Sequence, residues 1–293
     1  MATILIVLLL LGIYGVSIYR SIHNTVETMH EPIQREKSEK RLEKVTLDKK
    51  EPFSILVLGV DERSGDKGRS DTTIVLTVNP NHNSIKMLCI PRDTRTEIVG
   101  LNRLDKINHA YAYGDVEMSI ATVENLLDIP IDYYLKVNME GFKDLVDAVG
   151  GVTVNNKMKF EYSGHTFKKG TIELTGETAL AYIRMRKEDP KGDFGRQERQ
   201  RQIIQGVIKK GASFASLTRY EEILHALGDN VKTNLEFSEM IDIQQNYGSV
   251  VHNVEQVQLS GKGQMINGIY YQIIDEEKKQ QIQDILKEHL ELQ

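Results

Sequence analysis

Three apolar runs follow one another early in this 293-residue chain, and the charged residues between them narrow what it can become. Phe53 to Val60 reads FSILVLGV, an unbroken apolar stretch bounded by Pro52 and by the polar loop DERSGDKGRSD. A run this short and this rich in branched residues predicts a buried strand. Residues 72–78 and 85–90 predict two more, with NPNHNS as the turn between them. If the three are successive antiparallel neighbours, the exit of the first, the entry of the second and the exit of the third share one sheet edge. Asp61, Arg63, Arg69, Asp71, Arg92 and Asp93 then converge there.

Downstream, residues 107–113 and 116–127 predict helices, 133–137 a strand, and 139–149 a helix that stops at Gly150-Gly151. Residues 152–171 read as a hairpin excursion ahead of a helix starting at Thr175. A long helix is expected over 194–215 and shorter ones over 217–227 and 237–247. Strands over 254–259 and 269–273 and a helix over 276–290 follow. Helices alternating with strands in this way predict a layered α/β domain.

Ahead of this domain, residues 2–19, ATILIVLLLLGIYGVSIY, carry no charge and are closed by Arg20. A hydrocarbon core needs roughly 17 to 25 helical residues, so the run just suffices to cross it. No basic n-region precedes it and no small-residue cleavage pattern follows it, so residues 1–20 are expected to be an uncleaved anchor. Residues 21–51, rich in Glu, Lys, Arg and Gln, read as a helical or flexible stalk, with the globular domain over 52–293. Arginines and lysines follow the span, which by the positive-inside rule alone would leave the domain in the cytoplasm.

A net charge of -5 and a pI near 6.0 argue against a nucleic-acid partner, whose binding needs a broad basic surface. Any basic site must be local. The segment ALAYIRMRKEDPKGDFGRQERQRQ, residues 179–202, gathers Arg184, Arg186, Arg196, Arg199 and Arg201 around a glycine-bearing turn. Guanidinium forks grip phosphate through paired hydrogen bonds, so the group suggests a pyrophosphate pocket; a solvated helix face accounts for it equally well. Steps of three or four residues from Arg196 pass Arg199 and Gln200, then Ile203, Ile204, Val207 and Ile208, so one helix face changes from cationic to aliphatic. A ligand with a phosphate head and a hydrocarbon tail matches that gradient, as does an amphipathic helix packed on a sheet. Asp61 and Asp71 form a carboxylate pair that suits a magnesium–pyrophosphate complex, or else they pair with Arg63 and Arg69 in a surface loop. The loop lacks the GxxxxGK[ST] phosphate cradle. The single cysteine, Cys89, lies in the apolar run IKMLCI and reads as a buried small hydrophobe.

In order along the chain, LGVDERSGDKGRSDT, IPRDT, KINHAYAYG, DYYLKVNMEGF and the arginine segment closely resemble the signature blocks of the LytR-CpsA-Psr family, densely over residues 53–215. The resemblance implies an α/β fold, a three-layer α-β-α domain with a central mixed sheet, preceded by a transmembrane helix. It places the domain outside the cytoplasm on a single-pass cell-membrane anchor, against the charge bias noted above. It also implies a phosphotransferase that moves an anionic glycopolymer, with wall teichoic acid the expected cargo, from an undecaprenyl-pyrophosphate carrier to the muramic acid 6-hydroxyl of peptidoglycan, using Mg2+ or Mn2+. Carried over by residue, the metal carboxylates fall on Asp61 and Asp71. The pyrophosphate contacts fall on Arg69, Arg92, Arg184, Arg186, Arg196 and Gln200, and the catalytic candidates are Arg92, Asp71 and Asp93. The family's lipid channel falls to Ile203, Ile204, Val207 and Ile208. Lys106, Asn108 and His109 either face the site or start a helix, and His109 is given no catalytic role. Two rivals remain: a polyprenyl-pyrophosphate phosphatase using water as acceptor, and a membrane-bound regulator without enzymatic activity. The acidic balance and the lack of a basic helix-turn-helix weigh against the second.

Overall fold

The early apolar runs become the middle of a sheet. A computed structural model of the chain describes residues 20–21, 23–62, 68–186, 188–211, 228 and 230–292. Strands β1 (Phe53–Val60), β2 (Ser70–Asn79) and β3 (Ser84–Ile90) are antiparallel neighbours. A small hairpin, β4 (Arg95–Ile98) and β5 (Arg103–Lys106), leads to α1 (His109–Leu127), β6 (Tyr133–Asn138) and α2 (Met139–Ala148). The excursion is built from β7 (Val152–Asn156), β8 (Phe160–Tyr162), β9 (His165–Phe167) and β10 (Gly170–Leu174), and is followed by α3 (Gly176–Arg184) and α4 (Asp193–Gly211). Then come β11 (Val231–Thr233), α5 (Phe237–Asn246), β12 (Val254–Gln258), the hairpin β13 (Gly261–Ile266) and β14 (Ile269–Ile274), and α6 (Glu276–His289).

The main sheet has the order β11-β6-β1-β2-β3-β12. It is mixed, because β6 runs parallel to β1 and β12 parallel to β3 while the remaining pairs are antiparallel. Alternation along each strand divides its side chains between the two faces. Leu56, Leu58, Val75 and Leu88 join a core with Ile120 and Leu127 of α1 and Leu286 of α6. Phe53, Ile74, Leu76 and Met87 join another, packed by Met240 and Ile243 of α5 and Ile204 of α4. Helices therefore cover both faces, which is why these strands read as continuous apolar runs instead of alternating ones. A third core ties α2 and α3 to the β7–β10 excursion.

The two helices expected before β6 are one element kinked at Gly114 and Asp115, whose backbones leave the helical region. The glycine is required there, since a Cβ would lie 2.6 Å from the Met118 Cβ. Short hairpin β4–β5 and strand β13 were not expected, being too short or too polar to carry an apolar run. The expected anchor over 2–19 and the expected helix over 217–227 lie outside the described residues. Among those described, no helix is long and apolar enough to cross a membrane.

The segment over 21–51, expected as a stalk, packs on the domain at several points. Val26, Met29, Val45 and Leu47 are buried against the domain, and His30 bridges to Thr233 of β11. Arg35 forks onto both oxygens of Glu124 at 2.7 and 2.9 Å, and Arg41 does the same to Asp132 at 2.5 and 2.8 Å. The charges that made this segment look like a solvated connector are answered by carboxylates of α1 and the β6 approach, a pairing that composition does not reveal.

His289, at the end of α6, is 1% exposed. Its Nδ1 lies 2.8 Å from the Thr77 hydroxyl and its Nε2 2.9 Å from that of Ser84. Burial, with Lys86 and His82 adding to it, lowers its pKa from 6.5 to about 4, although Glu255 and Glu291 pull the other way. The folded imidazole thus stays neutral while the unfolded one takes a proton, so its contribution to stability is whole above pH 6.5 and shrinks as the pH falls toward 4. Denaturant unfolding should show a loss on the order of 2 kcal/mol across that window, beyond what a His289→Gln chain loses. Identical pH profiles for the two chains would show that this histidine does not govern the acid limb.

Candidate active site

At one edge of the sheet, β1 leads out to Asp61, β2 carries Asp71 and Thr72 at its start, and β3 leads out to Arg92 and Asp93. The antiparallel order alone brings these ends together. Gly59 sits opposite Thr72 next to an irregularity in the β1–β2 register, and a Cβ there would come 2.9 Å from the Thr72 Cβ. The space it leaves lets Thr72 accept a hydrogen bond from Gln200 Nε2 at 2.7 Å, which joins the first turns of α4 to the sheet edge.

A run of alternating charge crosses this edge. Arg92 Nη1 donates to Asp71 Oδ1 at 2.8 Å and Arg92 Nε stands 3.8 Å from Asp93 Oδ2, while Lys106 Nζ donates to Asp93 Oδ1 at 2.6 Å. Arg184, at the end of α3, has Nη2 3.7 Å from Asp61 Oδ1. A cleft of about 1170 Å³ opens over these groups. Asp61, Asp71, Arg92, Asp93, Arg184, Arg186, Arg196 and Gln200 all line it, together with the apolar side chains of Met139, Ile183, Met185 and Phe194. Eight expected site residues, drawn from four separate stretches of sequence, thus meet in one cavity.

Others do not. Arg69 is exposed and absent from the lining; its backbone carbonyl accepts from the Asp61 N–H. None of the four aliphatic residues expected to form a lipid channel lines the cleft. Ile203 is fully buried in the core shared with α3 and β7, Val207 packs on that same core, and Ile204 packs on the opposite one. α4 lies between the two cores, with Ile203 buried and Ile204, Val207 and Ile208 half-buried, and the cleft takes its apolar wall from α2, α3 and the start of α4. His109 is also outside the lining, with Nδ1 3.0 Å from Asp105 Oδ2. Burial alone would raise the Asp105 pKa, but hydrogen bonds from His109, the Lys106 N–H and Tyr113 bring it below the ordinary carboxylate value. Cys89, within β3, is buried, and burial pushes its thiol up to about 11 even though Arg201 works against the shift.

The arginines of the α3–α4 turn divide by task, and sequence spacing does not separate them. Arg184, Arg186 and Arg196 line the cleft, whereas Arg199 does not. It donates to the carbonyls of Tyr182 at 2.9 Å and Met185 at 2.5 Å, and to Asp189 Oδ2 at 2.5 Å, with the rings of Phe160 and Tyr182 5.5 and 5.8 Å away. Gly195 makes room for the pair: a Cβ there would lie 1.9 Å from Asp189 Oδ2. Arg199 therefore fastens the turn that carries the outward-facing arginines. Also unforeseen were Tyr270 and Gln272, which bring β14 to the cleft. The sequence signal for their hairpin was Asn267-Gly268 between flanking isoleucines, the commonest two-residue turn dipeptide.

Two carboxylates in a cleft rich in cations provide hard oxygen donors of the kind Mg2+ or Mn2+ takes alongside phosphate oxygens and water. Among the described residues no group of three or more His, Cys, Asp or Glu gathers to cage an ion without a substrate. Asp61 and Asp71 suit a metal that takes its remaining ligands from water and phosphate oxygens.

Residues 16–288 match the LytR_cpsA_psr family. A Bacillus mycoides protein named polyisoprenyl-teichoic acid–peptidoglycan teichoic acid transferase TagU is 54% identical over 282 residues, covering 96% of this chain and 93% of that one. The crystal structure of B. subtilis TagU superposes with a TM-score of 0.67 at 50% identity, over 83% of this chain and 99% of that one. A crystal structure from Enterococcus faecalis described as a transcriptional regulator gives a TM-score of 0.78 at 44% identity, over 85% and 91%.

Asp189 and Arg199 have side chains only 5% and 6% exposed. Asp189→Ala should cost roughly 3 kcal/mol in denaturant unfolding, because it strands a buried cation, while Arg184→Ala should stay within about 0.5 kcal/mol. Equal effects from the two substitutions would remove the fastening role.

Proposed function

The chain belongs to the LytR-CpsA-Psr family, and from that premise we propose that it transfers an anionic glycopolymer, a wall teichoic acid, from an undecaprenyl-pyrophosphate carrier to the muramic acid 6-hydroxyl of peptidoglycan. The observation that carries the reading is the meeting of Arg92, Arg184, Arg186 and Arg196 with Asp61 and Asp71 in one cleft whose remaining wall is apolar. A pyrophosphate lies among the guanidinium groups at the N-terminal end of α4, where the helix dipole adds partial positive charge. The prenyl chain runs along Met139, Ile183, Met185 and Phe194. Residues 1–20 hold the domain at the outer face of the cell membrane, beside the lipid it draws on.

The chemistry follows from charge and position. A sugar hydroxyl attacks the phosphorus next to the glycopolymer, a phosphodiester forms, and polyprenyl phosphate leaves. Charge grows on the transferring and departing oxygens, and the arginines, fixed before the reaction begins, stabilise it without reorganising. Asp93 is tied to Lys106 and Arg92 and is 7% exposed, so it serves to hold Arg92. Asp71, with its side chain 32% exposed to the cleft, takes the proton of the incoming hydroxyl. Asp61 and Asp71 would hold Mg2+ or Mn2+, which supplies further neutralisation of the pyrophosphate oxygens when bound.

Purified full-length Arg92→Ala and Asp61→Ala chains should attach polymer to peptidoglycan at least about a hundredfold more slowly than the parent, with unchanged unfolding midpoints. Parental rates from either would cancel its assigned role. Phosphate ester released without acceptor, at a rate equal to transfer, would point to hydrolysis as the activity.

A further inference from the structure

The hairpin β13–β14 stands apart from the main sheet yet is fastened to the reacting end of the cleft. Its Gln272 N–H donates to the Asp93 carbonyl at 2.8 Å, and a bridge pairs Gln272 with Thr94. Asn267 and Gly268, at φ 51° and 78°, close it with the two left-handed residues a tight hairpin turn needs. In its register Met265 faces Tyr270 and Gly263 faces Gln272, so by the two-residue alternation these four share one face. The other face is occupied: Tyr271 is 8% exposed, with Arg95 and Lys106 5.8 and 5.9 Å from its ring centroid. The first face is open toward the turn. Tyr270 is 45% exposed and Met265 61%, and Tyr270 and Gln272 line the cleft.

Two features of that face are unexplained by folding. The Tyr270 ring lies against Gly263, where a Cβ would come 2.6 Å from its hydroxyl and 2.8 Å from its ring, so the glycine seats the ring against the strand. Gln272 is 5% exposed, and its Nε2 makes no hydrogen bond among the described residues. A buried donor left without an acceptor is a cost that a bound ligand can remove. The terminal amide torsion is soft, so a half-turn brings that NH2 to whatever occupies the cleft.

We propose that this face is a carbohydrate subsite, with Tyr270 stacking on a pyranose ring of the acceptor glycan and the Gln272 amide donating to one of its oxygens. The proposal rests on the transferase reading and names where the acceptor binds. An aromatic ring and a neutral amide suit an uncharged polyhydroxyl ligand, whose C–H faces are weakly positive toward the ring's negative face. The cations that grip pyrophosphate come from β3, α3 and α4, and the hairpin adds none to the lining. Because the attacking oxygen must approach phosphorus away from the departing one, the uncharged wall is where the acceptor enters.

The full-length chain in detergent, given lipid-linked donor and soluble peptidoglycan strands, tests this. Tyr270→Ala should raise the acceptor KM about tenfold while the donor KM stays within about twofold, and Tyr270→Phe should keep the parental acceptor KM. Gln272→Met should raise the acceptor KM about threefold, and Gly263→Val, which displaces the ring, should act in the same direction as Tyr270→Ala. Saturation-transfer NMR with the strands alone gives a readout independent of turnover: sugar C–H signals should appear with the parent and fade with Tyr270→Ala. Strand contact without any transfer would sink the transferase reading and leave the subsite standing. Transfer with an unaltered acceptor KM and NMR contact in Tyr270→Ala would overturn the subsite. A raised donor KM instead would assign the ring to the donor's sugar and likewise overturn it.

Discussion

The cleft depends on the register of three strands. Because side chains alternate along a strand, a slip of one residue between β1 and β2 would move Leu56 and Leu58 to the wrong face and turn Thr72 away from Gln200. Two helical layers hold that register, since both faces of the sheet must stay buried. Local irregularity is confined to Gly59 and Val60, at the end of β1 where the functional edge begins. The strands thus set the position of Asp71 and deliver Asp61 and Arg92 to the same edge, where Asp71 and Asp93 hold Arg92.

Crowding guanidinium groups is costly unless carboxylates or a ligand answer them. Around the cleft, cations and anions alternate: Lys106, Asp93, Arg92 and Asp71 in sequence, and Arg184 with Asp61. The inward-facing Asp189–Arg199 pair is a different device, almost fully desolvated and bonded to two backbone carbonyls. It spends one arginine to fix the turn on which others are displayed. The result is a site whose donors stand in place before a phosphate arrives, which is what stabilising a loose phosphoryl transition state requires.

Much of this was legible in the sequence, and the remainder was hidden for physical reasons. Continuous apolar runs betray strands buried on both faces, and the antiparallel rule then predicts that Asp61, Asp71, Arg92 and Asp93 meet. Helical periodicity could not decide between a lipid-facing and a core-facing Ile203, because a hydrocarbon tail and a hydrophobic core make the same demand on a side chain. Arg199 and Arg196 sit one turn apart and look alike; only Asp189, ten residues back and admitted by Gly195, separates them. The segment before β1 looked solvated because its partners, Glu124 and Asp132, lie more than eighty residues away. Short hairpins such as β13–β14 carry little apolar pattern, and there the Asn267-Gly268 turn was the stronger signal.

We propose that the separated arginines act as one pyrophosphate receptor. Titration calorimetry of a short-chain prenyl pyrophosphate into the full-length chain, and into an Arg184→Ala/Arg196→Ala chain, tests it most directly. An affinity loss greater than about a hundredfold is expected in the double variant, with two charge-assisted contacts gone and the apolar wall intact. Equal affinity in the two chains would contradict it.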